Sequence, residues 1–144
     1  MKYLLAFSLL AVIVSGCEVP VCCDPGPPRF MAVIRTSEGV DYLTSQAGDP
    51  IDLYYEGENE EDEKSDARPI TFLQGDTTKL EGINVTSVSM NGIKTFYLKV
   101  GSDIDTLYVD VDKKSNFKSV RFNGQPAQEI TSPKAGSYWL MQKK

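Results

Sequence analysis

Four carboxylates on one short stretch, Asp103, Asp105, Asp110 and Asp112, come closest in this chain to a reactive arrangement. In Asp103-Ile104-Asp105-Thr106-Leu107-Tyr108-Val109-Asp110-Val111-Asp112, an extended backbone turns Leu107, Val109 and Val111 to one face and Asp110 and Asp112 to the other, with Tyr108. Asp103 and Asp105 share the inner parity but follow Gly101-Ser102, where a loop is expected to turn them to water. Paired carboxylates suit a hard divalent cation, so Ca2+ is the one cofactor to weigh. It needs about six to eight oxygens, however, and no further residues complete the set; outward polar residues and a loop cap are the simpler account. Tyr54 and Tyr55 are the second candidates. Adjacent on one strand, they cannot both face a core, so one is expected at a surface where its ring could stack on a sugar or anchor a protein.

Catalysis is disfavoured by the composition. The chain has no histidine, which removes the commonest general base, the Ser-His and Cys-His nucleophile pairs and histidine-ligated zinc. A carboxylate pair could still serve glycoside hydrolysis, but no spacing singles one out. No Gly-x-x-x-x-Gly-Lys-[Ser/Thr] stretch is present to cradle phosphate. With 15 basic and 20 acidic residues the formal charge is −5. The run from Glu56 to Asp66 holds seven acids and one base, which reads as a solvated, self-repelling loop between strands. It lacks the Asp-x-Asp-x-Asp-Gly spacing of an EF-hand loop. No basic stripe exists to meet the phosphates of a nucleic acid.

The elements that must position these groups follow a period of two, with turn residues at short intervals. Phe30-Met31-Ala32-Val33-Ile34 is an unbroken apolar run, expected as a central strand buried on both faces. Further strands are expected at Val40–Leu43, Ile51–Tyr55, Ile70–Leu73, Asn84–Met90, Ile93–Val100, Thr106–Val111, Lys118–Phe122, Gln125–Ile130 and Tyr138–Met141. Asn91-Gly92 and Asn123-Gly124 are type I′ hairpin signals, since both central residues of that turn need positive φ. The first carries a conflict: Val88, Met90 and Ile93 fall on one side of its hairpin and Phe96, Leu98 and Val100 on the other, which calls for a bulge or burial of both faces. Pro126 cannot donate to a ladder, so the return arm of the second hairpin is expected at an edge. Short strands without an amphipathic helix predict an all-β fold, an antiparallel β-sandwich of Ig-like or Greek-key type, with a small β-barrel as the alternative. Trp139 is expected in the core.

Ahead of this body lies an apolar run from Leu4 to Val14 preceded by Lys2 and closed by Ser15-Gly16-Cys17. Eleven residues make about 16 Å of helix, too short to span a hydrocarbon core of about 30 Å, so the run reads as the apolar region of a signal peptide. Val14-Ser15-Gly16-Cys17 resembles the lipobox of bacterial lipoproteins. The resemblance implies a signal peptide over 1–16, a diacylglyceryl thioether on Cys17, and a lipidated Pro-rich tether over 17–28 leading to one β-rich domain over 29–144. Glu18 stands where an Asp would signal retention at the inner membrane in many such lipoproteins, so the resemblance implies an outer-membrane address. Cys22 and Cys23 are adjacent, with Cα atoms about 3.8 Å apart, below the usual disulfide range of about 4.4–6.8 Å. A strained vicinal bridge, free thiols and an intermolecular link all stay open for them.

The 103–112 stretch together with Ser119-Val120-Arg121-Phe122-Asn123-Gly124 is similar to a pattern in small uncharacterised envelope lipoproteins of the Bacteroidota, which implies no activity. The expectation is therefore a lipid-anchored, non-enzymatic envelope protein acting as an accessory or binding subunit. Its expected partners are the membrane, through Cys17, and an envelope protein or glycan. A glycan- or calcium-binding module is the alternative.

Overall fold

The computed structural model describes residues 26–56, 65–132 and 136–144. Cys17, Cys22, Cys23 and most of the acidic run from Glu56 to Asp66 lie outside the described residues. Along the chain stand β1 (Phe30–Thr36), α1 (Tyr42–Ser45), β2 (Ile51–Tyr55), β3 (Ser65–Asp66), β4 (Pro69–Gln74) and β5 (Thr77–Gly82). They are followed by α2 (Val85–Met90), β6 (Thr95–Val100), β7 (Asp103–Val111), β8 (Phe117–Phe122), β9 (Gln125–Pro126), β10 (Gln128–Ser132) and β11 (Gly136–Lys143). One sheet has the order β10-β11-β1-β5-β4 and the other β3-β2-β6-β7-β8-β9. The protein is an all-β sandwich, and neither sheet closes into the alternative barrel. All strand pairs are antiparallel except β1 with β11, which runs parallel and sets Ala32 beside Trp139 and Ile34 beside Met141.

The core follows from alternation. On β6, Phe96, Leu98 and Val100 are buried, and on β7 Leu107, Val109 and Val111 meet them. From the facing sheet, Phe30, Ala32 and Ile34 of β1 fill the same layer. Each fully buried Phe or Leu contributes about 1.5–3 kcal/mol by leaving water. β1 is the middle strand of its sheet and is covered on both faces, as its apolar run predicts: Val33, on the outer face, is only 2 % exposed. Lys79 of β5 contributes to that cover, holding its ammonium 4.3 Å from the ring centroid of Tyr138 on β11, across β1. Trp139 packs against the core, with its ring edge-on to Phe117 at 5.6 Å.

Two expected strands are overturned, and one observed strand was not expected. Asn84–Met90 is not a strand: Val85–Met90 is helical, and Asn91-Gly92 ends that helix, with the Asn91 N–H reaching Ser87 O and Val88 O and Gly92 at φ 108°. The conflict over facing sides disappears, because Val88 and Phe96 are not arms of one hairpin. Val85, Thr86 and Val88 are β-branched and favour a strand locally, but the burial of Val85, Thr86 and Ser89 on one helical face wins. Gly82 permits the close approach: a Cβ there would lie 2.5 Å from Val85 Cγ2 and 3.0 Å from Leu53 Cδ2. Val40–Leu43 is likewise no strand. Asp41 makes one bridge to Arg35 and then caps α1, accepting from the Thr44 N–H at 3.0 Å. Finally, β5 went unforeseen, because Lys79 and Glu81 look like surface residues and yet are buried on the outer face of its sheet.

The second Asn-Gly turn forms as expected, with Asn123 at φ 49° and Gly124 at φ 76°. Its return arm is shared between the sheets. Gln125 and Pro126 pair with β8 as one edge, and after Ala127 the chain crosses to become β10, the edge of the other sheet.

Candidate functional site

β7 carries the four aspartates, and the structure separates them into two pairs. Asp105 lies on the core face, in the parity of Leu107, and is 4 % exposed. It does not turn to water, because a cation from the opposite sheet reaches it: Lys143 of β11 places Nζ 2.5 Å from Asp105 Oδ2 and 2.7 Å from Asp103 Oδ2. The other Asp105 oxygen accepts from Asn123 Nδ2 at 2.7 Å. Asn123 is positioned by its own turn, since its Oδ1 accepts from the Thr106 N–H at 2.9 Å and its N–H donates to Thr106 O at 2.8 Å. Tyr42 of α1 completes the group, donating its hydroxyl to Asp103 Oδ2 at 3.2 Å with its ring centroid 4.6 Å from the Lys143 ammonium. One helix and two strands from different sheets thus meet at a single ammonium, and a hairpin turn holds Asp105 from its other side.

The electrostatics favour the ionised pair. Burial by itself would lower the pKa of Lys143, but hydrogen bonds to Asp103 and Asp105 outweigh it and raise the value. The same hydrogen bond from Lys143 is the largest cause holding Asp103 below the ordinary carboxylate range. Burial, aided by Asp103, pushes the Tyr42 hydroxyl up, so it stays a neutral donor. A nucleophilic or Schiff-base lysine needs the opposite direction. Both Asp105 oxygens are engaged, and the arrangement acts as a latch between sheets.

The other two aspartates sit at the far end of β7. Asp110 pairs with Lys94 at 2.8 Å, and the hydrogen bond to Asp110 raises the lysine's pKa. Asp112 caps the turn into β8. Its Oδ1 accepts from the N–H groups of Asn116 at 2.9 Å and Lys114 at 2.8 Å, and its Oδ2 meets Lys118 at 3.0 Å. Those contacts, the Asn116 N–H first, hold its carboxyl well below the ordinary range. Asp110 and Asp112 face outward as their spacing predicts, but the two pairs do not converge. Among the described residues, no three acidic, histidine or cysteine side chains gather as a metal site.

The two tyrosines divide as strand geometry requires. Tyr55 packs toward the core, edge-on to Phe96 at 6.0 Å, and Tyr54 stacks on its cross-strand neighbour Tyr97 at 5.4 Å on the outer face of the second sheet. Both are half-buried.

A third feature escaped sequence reasoning. Among the described residues β4 forms an outer edge, paired on one side only, to β5. Its six residues, Pro69-Ile70-Thr71-Phe72-Leu73-Gln74, include no charge, and Ile70 and Leu73 are 46 % and 68 % exposed. Register fixes the faces: Thr71 lies beside the buried Leu80 and so shares the core-ward side, and Phe72 lies beside Lys79 on the outer side. That outer side continues into a groove of about 540 Å³ lined by Val33, Lys79, Tyr138, Leu140 and Ile130. Protected edges carry charges, prolines within the strand, or a covering element; among the described residues β4 has only Pro69, at its start. The signal available in the sequence was the lack of charge in this run, but a strand's place in its sheet depends on partners far along the chain.

Among the described residues, no helix is long and apolar enough to cross a membrane. Compared with known proteins, the chain matches no family model, no curated sequence and no solved structure.

Proposed function

We propose that this chain is a lipid-anchored, non-catalytic protein of the bacterial envelope, held at the outer membrane through Cys17, whose β-sandwich serves as an accessory or binding subunit. The observation that carries the binding role is the edge of β4: six uncharged residues that, among the described residues, are paired on one side only, with Ile70 and Leu73 exposed, which is the template that strand addition uses. Support for the non-catalytic role comes from the titratable groups. The carboxylates of Asp103 and Asp105 are bonded to Lys143, with the lysine pKa raised, and the chain has no histidine. The lipobox supports the anchor.

The test compares full-length protein with Cys17→Ala in cells fed an alkyne fatty acid. The native chain is expected to be labelled and to sediment with outer membranes, and Cys17→Ala to lose both properties. An unlabelled native chain in the soluble fraction would contradict the anchor.

A second reading, a glycan-binding module, has one observation in its favour, the half-buried Tyr54–Tyr97 stack on an outer sheet face. It predicts sugar-dependent binding that is lost in Tyr54→Ala, whereas Tyr55→Ala would act through the core.

A further inference from the structure

We infer that the partner of the β4 edge is a second copy of this chain, joined by antiparallel β4–β4 pairing about a two-fold axis through Thr71; this rests on the binding-subunit reading above and names its partner. The polarity of the strand is symmetric about that residue, with Ile70 and Phe72 on either side of Thr71 and Pro69 and Leu73 beyond them. A two-fold axis perpendicular to the sheet keeps outer faces outer, so opposite residues must share a face, and a centre on Thr71 satisfies this. Ile70 then meets the partner's Phe72 on the outer face, Pro69 meets the partner's Leu73 on the core-ward face, and Thr71 meets its own copy. Apolar pairs and threonine pairs are favourable cross-strand neighbours. No charge lies within the strand, and in this register Arg68 at the head of one strand meets the uncharged Gln74 at the foot of the other. Pairing would fuse two five-stranded sheets into a continuous one and cover the exposed Ile70 and Leu73. A one-strand interface is small and therefore weak in dilute solution; confinement of both copies to one membrane raises their effective concentration.

The test uses the full-length protein in its membrane, with Cys22→Ser and Cys23→Ser as background so that an introduced thiol has no internal competitor. Directly opposite residues of antiparallel strands have Cα atoms about 4.5–5.5 Å apart, within the disulfide range of about 4.4–6.8 Å. Thr71→Cys is therefore expected to form a disulfide-linked dimer under mild oxidant, several-fold more than Ile104→Cys, an exposed control on β7. Adding Leu73→Lys should reduce that dimer several-fold with the body still protease-resistant. Equal dimer from both cysteines, or none from Thr71→Cys in protease-resistant protein, overturns the inference. Capture of Thr71→Cys by a different protein also overturns self-pairing while leaving the binding-subunit reading in place.

Discussion

Lys143 Nζ lies 2.5 Å from Asp105 Oδ2, tying β11 of one sheet to β7 of the other at a carboxylate that is 4 % exposed. Truncating the lysine would leave that carboxylate buried with only Asn123 as partner. Lys143→Met is expected to lower unfolding free energy by about 2–3 kcal/mol, below the range for a fully buried pair because the lysine keeps some contact with water. Replacing both partners, Lys143→Met with Asp105→Leu, should recover part of that loss, since the buried carboxylate is then gone and Asp103, the one left without its cation, is half exposed to water. Urea unfolding of the three proteins checks this, and a double variant no more stable than Lys143→Met would contradict it.

The latch also sets a pH window. Asp103 has a lowered folded-state pKa, so its contribution is present above the unfolded value of about 3.9 and is lost as pH falls through the folded value. Lys143 has a raised folded-state pKa, so its contribution is complete below about 10.4 and is lost as pH rises through the folded value. The difference in melting temperature between the native chain and Lys143→Met should therefore be constant through neutral pH and shrink at both extremes. A difference unchanged at low pH would show that Asp103 does not stabilise through the lysine.

Ser89 performs a backbone's task. Pairing of β6 with β7 begins at Thr95 opposite Tyr108, and the Val109 N–H still reaches Lys94 O at 2.8 Å. The next groups of β7 are met by one hydroxyl, which donates to Val109 O at 2.8 Å and accepts from the Val111 N–H at 3.0 Å. Ser89→Ala would strand both, at a cost of about 1–3 kcal/mol, with a protein otherwise unchanged in shape. Thermal melting should show the loss, and hydrogen exchange should show Val111 deprotected ahead of Leu107.

Gly124, at φ 76°, is expected to tolerate alanine poorly, with a loss of about 1 kcal/mol from the left-handed backbone alone. Asn123→Ala should cost more, because it also removes the donor to Asp105 and the acceptor for Thr106. Denaturant midpoints rank the two, and a Gly124→Ala effect exceeding that of Asn123→Ala would contradict the role given to the asparagine side chain.

The parts of the fold legible in sequence were those written locally. The apolar run at Phe30–Ile34, the alternation through Phe96–Val100 and Leu107–Val111, and the Asn123-Gly124 turn each carry their own period or dihedral requirement. Asn91-Gly92 carries the same dipeptide signal with a different outcome, because glycine at positive φ suits a helix C-terminus as well as a hairpin. The latch was half legible. Spacing gave Asp105 the inner parity, yet the preceding Gly101-Ser102 argued for a turn to water; the partner that holds it inside lies 38 residues away, at Lys143, and no local pattern announces that meeting. Lys79 and Glu81 hid β5 for a related reason: charged residues give no strand signal of a buried face, whereas the lysine stem crosses its own sheet to reach Tyr138.

The central claim is that the β4 edge is the surface this chain uses to bind. A photo-activated cross-linking residue placed at Leu73 in living cells tests it most directly, with the same residue at Ile104 as control. The account predicts a discrete adduct from position 73 at the mass of the chain's own dimer and none from position 104. No adduct from 73, or the same adducts from both positions, would contradict it.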